Sequence, residues 1–378
     1  MNLYPGPLAP RFDRWPLGLT VGPSVGLGQF EQAATDRRIL SKMTIEKPRV
    51  VITDFINDSL EIEREVLEGV ATVDAYDAYD ESELHGKIDT ADAVMLYHNL
   101  ALSAETIQRL ERCKLIVRCG VGFDNVDHVL AGQRGIPVAN VPDYGTEEVA
   151  DSAIGMALAL TRGINFYNLR MRSQPDPWMY HVAPPLYRQR GRVFGIVGLG
   201  RIGTATARRA LAMGMDVRFY DPFKPDGYDK AIGVKRVESL QELMSESFVL
   251  SLHCPLNEHS HHMINAESLG WLPMGSYLVN TSRGDVVDTA AIPAAIKQGR
   301  LAGAAIDVIA EEPPSTQNPL LVAWRDPNHP AHERLIINPH SAFYCEEGLA
   351  DMRRKGAEAC RRVLTGQMLR NVINEPIR

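Results

Sequence analysis

The sequence predicts an α/β protein built from two doubly wound parallel sheets with a cleft between them. Three observations carry that expectation. An apolar run at residues 193–197 stops at a glycine cluster and then turns into helical sequence. From Arg49 onward, short apolar runs alternate with helical periodicity, the pattern of strand–helix units in a parallel sheet. The chain has 378 residues, 45% of them hydrophobic and 23% charged, which is enough for two domains that each bury a core.

In chain order, residues 1–42 are rich in Pro and Gly, and ordinary patterning starts only after Met43. They read as an arm or an upstream extension, with Met43 as an alternative start, and they lack the apolar stretch of a secretory signal. Residues 50–52, 71–74, 93–96, 115–117 and 137–139 read as strands. Helical stretches lie between them, near 60–67, 81–87, 104–111 and 126–134. This first domain has no glycine fingerprint after its first strand. Ligands of such sheets sit beyond the carboxyl ends of the strands, which singles out two loops, Tyr97-His98-Asn99 and the segment from Arg118 to Asp124. Gly120 and Gly122 flank Val121, so the backbone there can approach a carboxylate closely and offer it N–H groups; a plain strand–helix turn is an equal alternative. His98 alone reads as a solvated or core-capping histidine.

Thr146 stands where it can cap a long helix from 147 to about 171, with Glu147 and Glu148 complementing the dipole of the first turn. Val149, Ala153, Met156, Ala157 and Leu160 mark one apolar face of small residues, expected to serve as hinge and as subunit contact. A Pro-rich loop, 175–185, then leads into the glycine cluster. Gly198 permits the tight turn, Gly200 lets a pyrophosphate lie against bare backbone, and Gly203 lets the following helix lie close to the strand. That helix, 204–213, aims free N–H groups at the phosphates. A second strand, 215–220, ends at Asp221, about twenty residues past the glycines, where a carboxylate accepts the hydroxyls of an adenosine ribose and repels a 2′-phosphate. NAD is therefore expected over NADP, with Lys224 the nearby basic residue that would tolerate the phosphate.

Later strands are expected at 248–254, 276–280, 302–306 and 335–337. Pro293 should open a short helix at its first turn, and 346–365 is again helical, able to return and cover the first domain. His259, His261 and His262 lie on a polar loop with no carboxylate or cysteine at ligand spacing, so a solvated loop without metal is expected.

Three charged residues fall at the ends of late strands: Arg283, Glu312 and His340. Reduction of a keto group by a nicotinamide needs a proton at the oxygen, a cation fixing the substrate and a group tuning the acid. An imidazole such as His340 titrates near working pH, at an unperturbed value of about 6.5. Glu312 beside it would favour the imidazolium and hold one tautomer. Arg283 presents a planar fork that matches a 2-keto acid bidentately.

Composition narrows the partners. A net charge of -7 gives no basic footprint for nucleic acid. No run of 18 apolar residues exists to cross a membrane. Five cysteines, an odd number without C-x-x-C, point to a reduced, cytoplasmic setting.

Taken together, Gly-Leu-Gly-Arg-Ile-Gly at 198–203, Val-Asn-Thr-Ser-Arg-Gly at 279–284, Asp307-Val308 followed by Glu312-Pro313, and Pro339-His340 resemble the D-isomer-specific 2-hydroxyacid dehydrogenases over about residues 47–375. The resemblance implies a Rossmann NAD domain at 144–339. It also implies a flavodoxin-like substrate domain from both chain ends, 43–143 and 340–378, beside the 1–42 extension. It implies Arg283 as substrate clamp, Glu312 and His340 as the acid–base pair, and Arg118 with the backbone of Gly120, Val121 and Gly122 as substrate binders, joined by Tyr97, His98 and Phe343. Cofactor contacts are then expected at Gly198, Gly200, Arg201, Ile202, Gly203, Asp221, His253, Cys254, Pro255, Thr281, Ser282 and Thr146, with Asp307 near the nicotinamide amide.

Within the family the chain is most similar to the C-terminal binding protein corepressors. Leu96-Tyr97-His98, Gly122-Phe123-Asp124-Asn125, Phe219-Tyr220-Asp221-Pro222 and residues 257–262 carry that likeness. It implies a homodimer through the central helix and leaves a second function open, an NAD-sensing scaffold with incidental turnover. Phe343 stands where that group has tryptophan, and its size, with that of Tyr97, suggests aromatic or bulky apolar acids.

Overall fold

The computed structural model describes residues 47–376; the expectations for residues 1–42 and for Met43 as a start lie outside them. Strands β1 (Arg49–Ile52), β2 (Thr72–Ala75), β3 (Ala93–Leu96), β4 (Ile116–Arg118) and β5 (Val138–Asn140) form one sheet in the order β2-β1-β3-β4-β5. Strands β6 (Val193–Val197), β7 (Asp216–Tyr220), β8 (Lys235–Arg236), β9 (Val249–Leu252), β10 (Ser276–Asn280), β11 (Leu301–Ile306) and β12 (Leu335–Ile337) form the other, in the order β12-β11-β10-β9-β6-β7-β8. Every pairing is parallel. The first order is the flavodoxin-like one and the second is the Rossmann order with one strand added, so the doubly wound α/β reading of both sheets holds.

Both sheets are covered on two faces, which is why inner strands such as β3, β9 and β10 are buried along their whole length, whereas β2 and β7, toward the edges, alternate. Register then decides what meets at the edge of the second sheet. Val197 is level with Tyr220 on one side and Leu252 on the other. Asn280 is level with Leu252 and Ile306, and Ile306 with Ile337. Gly198, Asp221, His253, Thr281, Asp307 and Asn338 therefore leave the sheet in one row, although up to 140 residues separate them in the chain, counting from 198 to 338.

The expected long helix after Thr146 is two helices, Thr146–Thr161 and Ile164–Ser173. Gly163 between them has φ 64, a left-handed conformation that no right-handed helix can contain, and it breaks the run. Nor does Thr146 act as the cap: Gly145 holds that position, and the Thr146 hydroxyl is buried without a partner. The expected face of small residues is present, but it is buried against this chain's own second sheet, where a subunit contact was expected. Ala153, Met156, Ala157 and Leu160 pack on Phe194, Ile196, Val279 and Ala305 of the second sheet. Pro293 lies in the first turn of the helix Ile292–Lys297. The last helix, Glu346–Leu364, returns to the first sheet and buries Met352, Ala357 and Cys360 against Val50, Ile52, Met95 and Val117.

Candidate active site

The glycine turn is shaped by what surrounds it. Gly198 has φ 87, and a Cβ there would lie 2.8 Å from the backbone of Cys254. A Cβ on Gly203 would stand 2.1 Å from the Gly198 carbonyl oxygen, so the helix Arg201–Ala212 reaches this depth only with glycine. At Gly200, by contrast, a Cβ would meet open space, and no side chain caps the helix that begins beside it. Its first N–H groups are left for an anion. Asp221 follows β7, and its carboxylate accepts from the amides of Leu199 at 2.8 Å and Phe223 at 3.0 Å. Those bonds fix the carboxylate against the glycine turn and leave lone pairs for further donors.

A row of unsatisfied polar atoms lies along the same strand ends. The Thr281 hydroxyl and Nδ1 of His253 are buried there without a partner, and so, at the start of the helix Thr146–Thr161, is the Thr146 hydroxyl. His253 Nε2 is 2.9 Å from the Ser251 hydroxyl, and burial holds its imidazole neutral, down to about 3. An unmet buried polar atom costs about 1–3 kcal/mol. A polar cofactor lying across the strand ends would meet that cost, and the open cradle at Gly200 leaves room for its phosphates, so the residues fit a dinucleotide. Ser282 is different: its amide and hydroxyl are both bonded to Asn280 Oδ1, at 3.0 and 2.7 Å.

The charged residues converge in a cavity of about 140 Å³ lined by His98, Arg118, Asp124, Arg283, Glu312 and His340. That size suits a compact acid rather than a drug-sized ligand. The larger cavity, about 490 Å³ beside Arg170 and Glu333, holds none of these groups. His340 Nδ1 and Glu312 Oε2 are 2.7 Å apart, and Glu312 Oε1 accepts from the Ile309 amide at 3.0 Å. Burial alone would raise the Glu312 carboxyl, but the hydrogen bond and charge of His340 outweigh it and hold the carboxyl below its ordinary value. Among the described residues Nε2 of His340 has no hydrogen-bond partner. His340 has φ 51, uncommon for a residue with a side chain. Asp307 holds that turn: its carbonyl accepts from the His340 amide at 2.8 Å, and its buried carboxylate accepts from the amides of Ser341 and Ala342.

Two guanidinium groups explain the glycines at 120 and 122. A Cβ on Gly120 would lie 1.4 Å from Nη1 of Arg118, and one on Gly122 would lie 1.4 Å from Nη2 of Arg283. The glycines leave the volume that the arginines fill. Arg283 is steadied by Asp124, 3.0 Å from its Nε, and by the Ser282 carbonyl. Burial would raise Asp124, yet Arg283 overrides it and keeps the carboxyl low. Arg118 is 8% exposed, and burial followed by the charge of Arg283 pushes it below its ordinary value. Asp124, Glu312 and Asp285 share the cavity wall with Arg118 and Arg283, so the attraction for an anion is local to the two guanidinium groups rather than a net positive charge of the lining.

Asp54, Asp124, Asn125 and Asn280 support the site; the last three lie in segments that carry the resemblance but had no role assigned to them, and Asp54 had no signal in the sequence pattern. Asp54 follows β1, is fully buried, and accepts from the amides of Tyr97 and Asn99, fixing the loop that carries His98. Asn125 donates to the carbonyls of Tyr97 and Leu100 and accepts from Arg118 Nε. Tyr97 itself corrects an expectation. Its side chain is 0% exposed within the first core, so it lines no cavity and serves the site through its backbone alone. His98 does line it. Burial, then the charges of Arg118 and His340, hold its imidazole at about 4, so it is neutral at ordinary pH. Its ring lies 6.0 Å from those of His340 and Phe343, and Phe343 also meets the ring of Tyr144 at 5.9 Å.

Residues 154–342 match the model of the D-isomer specific 2-hydroxyacid dehydrogenase NAD binding domain. The chain belongs to that family. Its cofactor is NAD. It is 35% identical over 328 residues to C-terminal-binding protein 1 of Caenorhabditis elegans, covering 85% of this chain and 44% of that protein. It is 31% identical over 328 residues to D-3-phosphoglycerate dehydrogenase of Methanocaldococcus jannaschii, covering 87% of this chain and 60% of the relative. The chain thus spans about half the length of these two relatives. Among solved structures, a D-lactate dehydrogenase from Aquifex aeolicus complexed with NAD and lactic acid aligns with TM-score 0.74 at 28% identity, over 84% of this chain and 96% of that one. A D-lactate dehydrogenase from Treponema pallidum aligns with TM-score 0.68 at 31% identity, over 86% and 99%. No helix among the described residues is long and apolar enough to cross a membrane.

Proposed function

We propose that this family member is an NAD-dependent D-2-hydroxyacid dehydrogenase acting on a small 2-hydroxy or 2-keto acid. The observation that carries the reading is the single cavity in which Arg283, His340 and Glu312 meet, next to a glycine turn with an open cradle at Gly200. NAD, when bound, supplies or takes up the hydride exchanged with C2 of the acid. The chain's own residues supply the rest. His340, through its Nε2, gives a proton to the substrate oxygen in reduction and removes it in oxidation. Ionised Glu312 holds Nδ1 and stabilises the imidazolium. Arg283 grips the carboxylate and neighbouring carbonyl, with Arg118 adding positive field. Neutral His98 and Phe343 bound the space for the substrate's side chain. The central helix is proposed to join two such chains into a homodimer.

A panel of 2-keto acids with NADH, aromatic and bulky apolar members included, tests the reading through loss of NADH absorbance. At least one acid should be reduced. The 35% identity to C-terminal-binding protein 1 favours a second reading, an NAD-sensing dimeric scaffold. Failure of every acid, with NAD-dependent dimerisation intact, would select the scaffold.

A narrower test addresses the clamp. In Gly122→Ala the new methyl competes with the Arg283 guanidinium and with Asp124 Oδ1, which would lie 2.9 Å away. Displacing the fork by about 1 Å should lower kcat/KM on the order of 100-fold, with NAD affinity retained. Unchanged kinetics would show that the fork's position does not matter.

A further inference from the structure

The loop that carries Arg283 also carries Asp285, and the fold brings that carboxylate to a pair of histidines more than twenty residues earlier. We propose that His261, His262 and Asp285 form a divalent transition-metal site, with zinc as its ion. The donor atoms of the three side chains lie within 4.8 Å of one another, and His262 Nε2 is 3.8 Å from Asp285 Oδ1. At about 2.0–2.2 Å from a zinc ion, tetrahedral ligands stand roughly 3.4 Å apart, so side-chain rotations of about 1 Å bring the set onto one centre. These rotations are cheap because all three side chains reach solvent.

The sequence pattern argued against metal because no carboxylate lies at ligand spacing from the histidines. Tertiary structure supplies one. The His262 amide donates to the Asp285 carbonyl at 2.7 Å, and the Ile264 amide to the Val286 carbonyl at 3.2 Å, so the two segments run bound together. His262 adopts φ 48, and its ring stacks on that of His261 with centroids 4.1 Å apart. Neighbouring residues in an extended chain point to opposite sides, and the left-handed turn is what puts both imidazoles on one. Two imidazoles and one carboxylate suit zinc, cobalt or nickel; calcium and magnesium require more oxygen ligands. Asp285 borders the cavity that holds Arg283, and Gly284 between them packs so closely that a Cβ would stand 2.0 Å from the Ile309 carbonyl carbon. An ion at Asp285 therefore ties the 257–262 loop to the rim of that cavity. The site stands whether or not the dehydrogenase reading does.

Zinc titrated calorimetrically into the full, untagged chain should bind as one ion per chain with micromolar affinity, and cobalt should give the ligand-field absorption of a bound ion. His262→Ala and Asp285→Asn, one on each segment, should each weaken zinc at least about tenfold. Their metal-free unfolding midpoints, read by circular dichroism, should match the parent's. His259→Ala, whose ring pairs with Glu258 instead, should bind as the parent does. No binding below millimolar zinc, equal binding in the parent and both ligand variants, or loss in His259→Ala alone would overturn the proposal.

Discussion

His340→Ala is expected to lower turnover by about 10²–10⁴-fold while leaving NAD affinity unchanged, the range of a lost general acid–base group. The expectation rests on separate supports for the two properties. Nδ1 of His340 is held by Glu312 at 2.7 Å, which leaves the other nitrogen free in the cavity. The glycine turn, Asp221 and the orphaned hydroxyls belong to other segments, none of them bonded to the His340 side chain. Alanine at 340 meets the same left-handed backbone that histidine does, and Asp307 still holds Ser341 and Ala342, so the turn should survive. Glu312→Gln gives the contrast: it can still bond Nδ1 but loses the charge that favours imidazolium, so it should fall between parent and His340→Ala. Steady-state reduction of the best keto acid, beside NADH binding by fluorescence, reads both quantities. Parent-like turnover in His340→Ala would remove this residue from the proton transfer.

Much of the architecture was legible because each sheet repeats one local rule. An apolar run followed by helical periodicity locates a strand–helix unit without long-range information, and the strands at Val193–Val197 and Ser276–Asn280 lie where that pattern puts them. The two-residue strand Lys235–Arg236 was not legible. It is polar and on the sheet edge, held by pairing with Arg218 and Phe219 rather than by its own composition. The break at Gly163 was hidden because one glycine inside helical periodicity is normally tolerated. The groups assigned to the chemistry, Arg283, Glu312 and His340, stood out as charges at strand ends. Their supports did not: Asp54 reads as an ordinary surface aspartate until the fold buries it, and the pairing of Asp124 with Arg283, 159 residues on, exists only in the folded chain. Gly120 and Gly122 show the limit well. Sequence gave the freedom of backbone a ligand would need, whereas the structure assigns that volume to two guanidinium groups. Asp285 marks the same limit: proximity to His262 follows from packing alone.

Packing also sets the largest stability effect. Arg353, on the last helix and 6% exposed, bonds Glu63 through Nε and Nη2 at 2.6 and 2.7 Å and Asp58 through Nη1 and Nη2 at 2.6 and 2.9 Å. Burial opposes its charge, but the bonds to Glu63 and Asp58 prevail and raise its pKa above the ordinary value. Glu63 is 0% exposed. Arg353→Met keeps most of the apolar stem and strands that carboxylate, at a cost of about 3–5 kcal/mol. The thermal midpoint should fall on the order of 5–10 °C. Adding Glu63→Leu should recover most of the loss, because an apolar pair of similar volume replaces a buried ion pair at little cost. If instead Arg353→Met melts with the parent, the ion pair is not what fastens the helix. The consequence reaches the cavity, since the same helix follows the His340 turn and packs on β3 and β4, whose ends carry His98 and Arg118. Loosening it should therefore raise KM for the acid at temperatures well below the melt, before any global unfolding registers.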